Sequence, residues 1–467
     1  MKVAAIDQGT TATKSFTFDT SGRFELIASV EHEQIYPKAG WVEHDAEELL
    51  RNVKTCLEAA GEVDAIGIDN QGETVVAWDA STGKPIYNAI VWQDDRTQDI
   101  TTKFKANGAE ELTKARAGLP LDPYFSASKL RWFIDHVAEA KSLLKQGRLR
   151  LGTSDAFFHD RLTGNFATDV TTASRTSLMS LDTCNWDSEL CRLFDVPIEC
   201  LPEIRSTAGD FGQIGKTSIT ASIVDQQAAL FGHGCPTKIT FGTGAFALTV
   251  TGDVRVDGSK FGILPTVAWK IGNEAPQRAI EGGVYNAASA VNWARGLGLF
   301  REFSEIANFE MPSALSRHLV FVPALSGLAC PHWDRGAAGL WIGMGLDTTA
   351  KDLVQAMLEG IALRASEVIA AMGELTLLGG SISIDGGLTK NSYFNRFLAN
   401  ALGKTVIVQE TSELTGLGTA RMTMLGVGAK SLPPLNAPRT EITPDASLSQ
   451  EMKQCFSEAV KRAKNWK

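Results

Sequence analysis

The stretch Asp7-Gln8-Gly9-Thr10-Thr11-Ala12-Thr13-Lys14 decides how the first half of this chain folds. It lies between two runs rich in β-branched and aromatic residues, Lys2 to Asp7 and Ser15 to Asp19, which predicts two strands joined by a Gly/Thr turn. Glycine lets the backbone come close to a ligand, and successive N–H groups and hydroxyls can bind phosphate oxygens. An Asp at the end of the strand is placed to hold Mg²⁺. Taken alone, the turn is equally compatible with an Asx/ST turn that binds nothing.

The pattern around this turn continues as an α/β domain and then restarts. A third strand is predicted from Leu26 to Glu33, a helix after Asp45, and another strand from Ala65 to Asp69. In the second half, Lys238 to Phe241 and Phe246 to Thr251 are predicted strands around the turn Gly242-Thr243-Gly244. They are followed by a helix from Lys351 to Met372, a strand from Ser381 to Asp385 and a helix from Asn391 to Leu402.

Because both halves open with a strand, a Gly/Thr turn and a strand, we predict a duplicated α/β domain around a central cleft. The predicted boundaries are residues 1–227 for the first domain and 228–431 for the second. Residues 432–467 are predicted to form a linker and a C-terminal helix. The chain of 467 residues is long enough for two such domains.

The composition excludes several classes of function. The net charge of −9 argues against sequence-independent binding to nucleic acid or to anionic membranes. No apolar run approaches the ~18 residues of a membrane span, and a charge follows the N-terminus too soon for a signal peptide. The seven cysteines are odd in number and include no Cys-x-x-Cys pair, which is typical of a reduced compartment. We therefore expect a cytoplasmic protein, and the histidines show no spacing typical of a metal site.

Two glycine-containing segments resemble nucleotide motifs only in part. Gly242-Thr243-Gly244-Ala245-Phe246-Ala247 fits G-x-G-x-x-A, but a dinucleotide fingerprint needs a helix next, and a strand is predicted here. A second phosphate-binding hairpin fits better, and this excludes an NAD-dependent dehydrogenase. Gly215-Lys216-Thr217 lacks the first glycine of a P-loop, because that position is Asp210.

Two strand-to-helix junctions are the other candidates for chemistry. Asp225 follows Ile223-Val224 and precedes an Ala-rich helix, where it is either a helix N-cap or a general base near a phosphate cleft. The segment from Ile384 to Asn391 places Gly386 and Gly387 between a strand and a helix. It is either a tight turn or a close approach to a nucleotide.

Together these segments resemble the FGGY carbohydrate kinases of the actin–hexokinase-like superfamily, above all its glycerol kinases. Tyr124 to Trp132 is similar to the first family signature, and Gly339 to Met344, continuing to Glu359, is similar to the second in spacing. Further similar stretches are 33–38, 40–45, 83–93, 165–169, 173–176 and 225–232. The resemblance covers nearly the whole chain. It implies two actin/hexokinase-like (ribonuclease H-like) domains and ATP- and Mg²⁺-dependent phosphorylation of a hydroxyl on a small polyol or sugar.

The resemblance also implies individual roles. Asp7 matches the residue associated with Mg²⁺, and Asp225 matches the catalytic base. The implied nucleotide-binding positions are Thr10, Thr11, Thr13, Lys14, Gly242, Thr243, Gly244, Ala288, Asn292, Gly386, Gly387 and Asn391. The implied polyol-binding positions are Gly72, Glu73, Trp92, Tyr124, Asp225, Gln226 and Phe246. The resemblance also implies a small-molecule partner, a polyol or sugar, rather than nucleic acid or a membrane. Whether the protein forms a homodimer is left as an open alternative.

One position departs from the glycerol kinases. They carry an Arg immediately before the Glu at position 73, and this chain has Gly72. A lost guanidinium removes up to five donors, so we expect room for a longer polyol or a ketose. A glycerol kinase with an unusual pocket is the alternative. An alternative of another class is a nucleotide switch like actin or the heat-shock chaperones, which acts on no small molecule.

Overall fold

The computed structural model describes residues 1–411, 413–435 and 438–466. The strands of the first half are β1 (Lys2–Gln8), β2 (Ala12–Asp19), β3 (Phe24–Glu31), β4 (Glu43–His44), β5 (Ala65–Asn70), β6 (Val75–Asp79), β7 (Ala89–Ile90), β8 (Leu149–Thr153), β9 (Ala167–Asp169), β10 (Met179–Ser180), β11 (Asn185–Trp186), β12 (Glu203–Arg205), β13 (Gln213–Ile214) and β14 (Thr217–Val224). Its helices are α1 (Ala46–Ala60), α2 (Gln98–Ala106), α3 (Glu110–Arg116), α4 (Ser126–His136), α5 (Ala138–Lys145), α6 (Ser154–Thr163), α7 (Val170–Ala173), α8 (Ser188–Phe194) and α9 (Asp225–His233).

The second half has its own set of elements. Its strands are β15 (Thr237–Phe241), β16 (Ala245–Gly252), β17 (Leu264–Trp269), β18 (Gln277–Val284), β19 (Val320–Val322), β20 (Leu340–Ile342), β21 (Ser381–Asp385), β22 (Thr405–Gln409) and β23 (Arg439–Ile442). Its helices are α10 (Ala288–Gly296), α11 (Ala350–Gly373), α12 (Ser392–Leu402), α13 (Leu414–Gly426) and α14 (Gln450–Ala463).

Two large sheets repeat one topology. The first sheet has the order β13-β14-β5-β1-β2-β3, and the second has the order β17-β18-β16-β15-β21-β22-β23. In each, an antiparallel hairpin (β1–β2, β15–β16) is followed by two parallel neighbours (β5 and β14, β21 and β22). This confirms the predicted duplication, and the chain has two actin/ribonuclease H-like α/β units.

Local sequence explains where the elements begin and end. The Asp45 side chain accepts a hydrogen bond from the Glu47 N–H at 2.9 Å and so caps α1, whose Leu49, Val53 and Cys56 are buried. The observed third strand, β3, spans 24–31 and so lies two residues earlier than predicted. The register of β2 and β3 shifts between Ser15 and Phe16. The predicted C-terminal helix is α14.

The helices α9 and α13 pack against one another and against the first sheet. Their crossing is close because glycines meet backbone there: a Cβ on Gly418 would lie 1.8 Å from the Ala228 carbonyl oxygen, and one on Gly232 would lie 2.1 Å from that of Leu414. The predicted division at residue 227 falls within α9. Among the described residues, no helix is long and apolar enough to cross a membrane.

Candidate active site

The first hairpin presents Gly9, Thr10 and Thr11 at the carboxyl end of β1. The Gly9 N–H donates to the Ala12 carbonyl at 3.1 Å and closes the turn. The Thr10 hydroxyl accepts a hydrogen bond from Trp92 Nε1 at 3.0 Å, so this predicted phosphate-binding residue contacts a predicted polyol-binding residue. The turn therefore lies between the two predicted subsites.

Thr13 and Lys14 differ from the hairpin tip. The Thr13 side chain is buried, and its hydroxyl has no partner among the described residues. Thr13 pairs with Gln8, which places it on the sheet face covered by α1 rather than at an exposed loop. Lys14 lies on the opposite face and donates to both oxygens of Glu413 at 3.0 and 2.8 Å. The structure thus gives both residues scaffold contacts, and their nucleotide roles stay predictions.

The second hairpin, Gly242-Thr243-Gly244, is joined to the start of α10 by backbone hydrogen bonds. The N–H groups of Ala287 and Ser289 donate to the Thr243 carbonyl at 2.9 and 3.1 Å, and that of Ala288 donates to Gly242 at 3.0 Å. Ala288 and Asn292 are one helical turn apart, so they share the face next to the hairpin. The predicted nucleotide residues of this region therefore lie together.

The turn at 386–391 lies next to the end of β15, where the second hairpin begins. Gly386 has φ = 98°, and a Cβ there would lie 2.3 Å from the Phe241 carbonyl oxygen at the end of β15, so only glycine fits. Asn391 also makes scaffold contacts, and its nucleotide role stays a prediction. Its Oδ1 accepts from the Phe394 N–H at 2.8 Å as the N-cap of α12, and its Nδ2 donates to the Ile306 carbonyl at 2.7 Å. Its side chain is therefore engaged in the scaffold.

Asp225 is the first residue of α9, with Val224 as the N-cap residue. Its Oδ1 accepts a hydrogen bond from the Gln226 N–H at 2.7 Å. Burial, together with the negative charge of Glu73, raises the pKa of Asp225 to about 7. A carboxylate with that pKa can take a proton near neutral pH.

Sequence reasoning missed a lysine that orients the neighbouring amide. Lys238 on β15 is buried and donates to Gln226 Oε1 at 2.7 Å and to Thr240 Oγ1 at 2.9 Å. Because the Gln226 amide oxygen accepts the hydrogen bond from Lys238, its amide nitrogen remains available to donate a hydrogen bond to a hydroxyl group of a ligand. Lys238 lies on the other sheet, and no local motif in the sequence points to it.

A cavity of about 370 Å³ is lined by three of the predicted polyol-binding residues, Trp92, Tyr124 and Phe246. The other four, Gly72, Glu73, Asp225 and Gln226, are not among its lining residues. The rings of Trp92 and Tyr124 meet edge to face with centroids 5.8 Å apart. The cavity extends beyond them; its other lining residues include Gln98, Asp122, Glu281, Gly282, Gly283, Tyr285, Trp333 and Arg335. Its volume lies at the lower end of the range for small-molecule sites.

Gly72 leaves less room than expected. A Cβ at this position would lie 2.7 Å from Val224 Cγ2, and Val224 is buried. The expected vacancy is therefore partly filled by Val224, because the chain packs that side chain against the glycine. Additional space for an acceptor lies toward Tyr285 and Arg335 instead.

Asp7 and Asp69 form a pair of carboxyl groups at the end of β1 and β5, where they are direct neighbours in the parallel register. Burial raises the pKa of Asp7 to about 6, although the neighbouring Asp69 carboxyl group and the charge of Lys14 act to lower it. Burial and the charge of Asp7 raise the pKa of Asp69 well above its usual value. Asp69 Oδ2 accepts from Thr419 Oγ1 at 2.7 Å, and its Oδ1 has no partner in the described chain.

This donor set fits Mg²⁺ bound jointly with a nucleotide. Mg²⁺ is commonly held by one or two carboxylates together with water and substrate phosphates rather than by an all-protein cage. Among the described residues, no group of three or more His, Cys, Asp or Glu could hold a metal by itself. Asp7 would hold the ion, and the orphaned Asp69 oxygen is its neighbour.

Comparisons with known proteins point to one family. The model of the FGGY carbohydrate kinase N-terminal domain matches residues 2–233, and that of the C-terminal domain matches residues 237–427. A glycerol kinase of Burkholderia vietnamiensis is 38% identical and covers 99% of this chain and 98% of its own length. One of Koribacter versatilis is 39% identical with the same coverage.

Solved structures extend the agreement to the fold. Glycerol kinase of Plasmodium falciparum with ADP matches with a TM-score of 0.90 at 31% identity, covering 99% of this chain and 98% of that one. A ligand-bound xylulose kinase of Lactobacillus acidophilus matches with a TM-score of 0.86 at 22% identity, covering 99% of this chain and 96% of that one. The second similarity supports the fold only.

Proposed function

This chain belongs to the FGGY family of carbohydrate kinases, and on that premise we propose that Asp225 is the base with which it phosphorylates a polyol or ketose longer than glycerol. The chain is an ATP-dependent kinase with an alcohol group as acceptor, similar to glycerol kinases. Membership of the family does not identify the acceptor or the residues that act on it, and these form the proposal.

The observation that carries the proposal is the position of Asp225. Asp225 follows Val224 at the end of β14, and Val224 pairs with Asn70 of β5, so Asp225 lies at the same edge of the sheet as Asp7. The negative charges of Glu73 and Asp7 both act on its carboxyl group. This position is next to the hairpin that would face the ATP phosphates. A base in this place can remove a proton from the acceptor hydroxyl as its oxygen bonds to the γ-phosphorus and the bond to the β-phosphate oxygen breaks.

The chain's own residues supply positioning for this step. Gln226, oriented by Lys238, and Glu73 can donate to and accept from acceptor hydroxyls, while Trp92, Tyr124 and Phe246 exclude water from the cavity. A bound Mg²⁺ would neutralise charge on the β- and γ-phosphates. The two hairpins, one from each sheet, would flank the phosphates.

The proposal of a longer acceptor rests on the cavity. It continues past the aromatic residues to polar side chains, among them Gln98 and the ion pair between Arg335 Nη2 and Asp122 Oδ2 at 3.1 Å. These groups could bind hydroxyls that a three-carbon triol does not have. In addition, Gly72 offers no guanidinium to a short acceptor. We expect acceptors of about four to six carbons, given a cavity of the size typical of small-molecule sites.

The test is an acceptor panel combined with a change of the base. Wild-type kcat/KM is measured with glycerol, tetritols, pentitols and ketopentoses. A longer acceptor should exceed glycerol by about 10- to 100-fold, the effect of one hydrogen bond to a charged donor. If glycerol is the best acceptor, the proposed substrate is wrong. A nucleotide switch would instead hydrolyse ATP slowly whether or not any acceptor is added.

Asp225→Asn tests the base. The amide keeps the shape but accepts no proton, so kcat should fall by roughly 10²–10⁴-fold while ATP binding, measured by calorimetry, persists.

The double substitution Gly72→Arg with Val224→Ala tests the role of position 72, because Val224 must give way to a new side chain. It should raise glycerol activity relative to Val224→Ala alone.

A further inference from the structure

Two buried ion pairs meet on one guanidinium at the wall of the acceptor cavity. Arg175 Nε donates to Glu73 Oε1 at 2.7 Å. Arg175 Nη1 lies 3.0 Å from Glu281 Oε2, and Nη2 donates to Glu281 Oε1 at 3.3 Å. The three side chains are each exposed by 6% or less. Because little water reaches these side chains, each charge is stabilised mainly by its ion-pair partner.

The three residues come from both halves of the chain. Glu73 follows β5, and Arg175 follows α7, both in the first half. Glu281 lies on β18 of the second sheet, immediately before the cavity-lining Gly282 and Gly283. Separating the halves would break the contacts between Arg175 and Glu281 and replace them with contacts to water. Because charge-assisted hydrogen bonds are strong, this contact favours the arrangement of the halves found here, which is called the closed arrangement below.

Glu73 is held in an uncommon conformation. Its φ is 60°, in the left-handed region that residues other than glycine rarely adopt. Such strain persists where the surroundings fix the residue, and here Ser126 Oγ also donates to the Glu73 carbonyl at 3.3 Å. With Oε1 bound by Arg175, Oε2 is the oxygen left for an acceptor hydroxyl. None of the hydrogen bonds found within the described chain uses it.

We infer that Arg175 is a positioning residue for the acceptor: it fixes Glu73 and, through Glu281, makes acceptor binding depend on the closed arrangement of the two halves. The inference rests on the proposed function in one respect, namely that Glu73 binds the acceptor. A planar fork with several donors can hold two carboxylates at once, which a lysine ammonium does less well. Arg175 therefore couples the acceptor site to cleft closure, because its guanidinium group binds Glu73 and Glu281 at the same time.

Arg175→Lys and Glu281→Gln test this inference in the full chain. The first keeps the charge but loses the fork; the second leaves Glu73 and Arg175 in place and removes the charge across the cleft. Both should raise KM for the acceptor by about 10- to 100-fold, the effect of a lost hydrogen bond to a charged group. KM for ATP should rise by a clearly smaller factor than KM for the acceptor, because Arg175 bonds directly to Glu73; a purely structural role would raise both KM values by the same factor.

Arg255→Gln is the matched control. Arg255 Nη1 also joins the halves, through Asp182 Oδ1 at 2.8 Å, but that pair is at the surface and contacts none of the acceptor residues. Exposed ion pairs contribute little, so both KM values should remain within about twofold of wild type. The ratio of acceptor KM to ATP KM therefore separates a specific effect from a general weakening of the contact between the halves.

Small-angle scattering gives a second readout. With a non-hydrolysable ATP analogue present, the acceptor should reduce the radius of gyration, and Glu281→Gln should need about tenfold more acceptor for the same reduction. The inference is overturned if both variants keep the wild-type acceptor KM, or if the KM values for acceptor and ATP rise by the same factor. If Arg175→Lys does not fold, Glu281→Gln decides alone. Asp225→Asn separately tests the base, so the two proposals can fail independently.

Discussion

The two sheets have the same topology but opposite electrostatics at the carboxyl ends of their central strands. In the first sheet, Asp7 of β1 pairs with Asp69 of β5. In the second, the corresponding pair is Thr240 of β15 and Asp385 of β21. Burial raises the pKa of both Asp7 and Asp69. For Asp385 burial acts in the same direction, but His233 and Lys238 outweigh it and lower the pKa.

The helices that follow the two sheets differ in the same way. Asp225 begins α9 and, among the described residues, has no ion-pair partner within hydrogen-bonding distance. Glu413, just before α13, is bound by Lys14 at 2.8 Å. Among the described residues, no ion pair joins Asp7, Asp69 or Asp225 of the first half to a basic side chain. Asp385 and Glu413 of the second half are paired with His233 and Lys14. The two halves share one topology, and the carboxyl groups that we predict to bind Mg²⁺ and to act as the base, Asp7 and Asp225, both lie in the first half.

The pH dependence should show the largest effect. Only the ionised form of Asp225 is a base, and its pKa is raised to about 7. Activity should therefore be full above that pH and fall about tenfold per unit below it, so that kcat/KM for the acceptor at pH 5 is about 100-fold below the plateau. In Asp225→Asn the residual rate should lose this slope. An unchanged slope in that variant would assign the titration to another group.

Replacing one carboxylate in each half should give the next largest difference between the halves. Asp7→Asn should raise the Mg²⁺ concentration needed for half-maximal rate by roughly 10- to 100-fold, because an amide is a weaker ligand for this ion. Asp385→Asn should leave that concentration unchanged. It should instead lower the melting temperature, since buried Lys238 and His233 lose their partner. Equal Mg²⁺ requirements in the two variants would contradict the comparison.

How far the sequence predicts this arrangement depends on the range of each interaction. Both hairpins, α11 and β21 were predicted within about three residues, because hydrophobic periodicity and turn residues are local signals. The packing of Val224 against Gly72 and the contact of Arg175 with Glu281 join segments more than 100 residues apart. No spacing reveals them. Asp69 was identified only as the end of a strand, because its partner Asp7 is set by strand register.

The residue roles divide along the same line. Trp92, Tyr124 and Phe246 do line one cavity. Asn391 and Thr13, by contrast, are engaged or buried in the scaffold. A motif identifies which residues belong to a site, whereas the direction of each side chain follows from packing that the motif does not contain.

The crossing of α9 and α13 should be sensitive to one methyl group. Gly418→Ala places a Cβ against the Ala228 carbonyl, so it should destabilise the protein by about 1–3 kcal/mol through overpacking. Gly296→Ala is the control, because no atom lies within 4 Å of its Cβ position and its φ is not in the left-handed region. That variant should be neutral or slightly more stable. Denaturant unfolding measures both; similar values for the two would mean that the helices separate readily.

The smallest expected effect concerns Thr419, which reaches from α13 to Asp69 of the first sheet. Thr419→Val removes the hydroxyl that donates to Asp69 Oδ2 and should cost about 1 kcal/mol. Because the pKa of Asp69 is raised in the folded protein, the folded state holds this proton more tightly than the unfolded chain, and stability falls as pH rises. Losing the donor raises that pKa further. The cost of Thr419→Val should therefore be larger at pH 8 than at pH 5 when unfolding is measured in metal-free buffer. A cost independent of pH would show that the hydroxyl contributes packing alone, and that the carboxyl groups of the first sheet are balanced by something other than this contact.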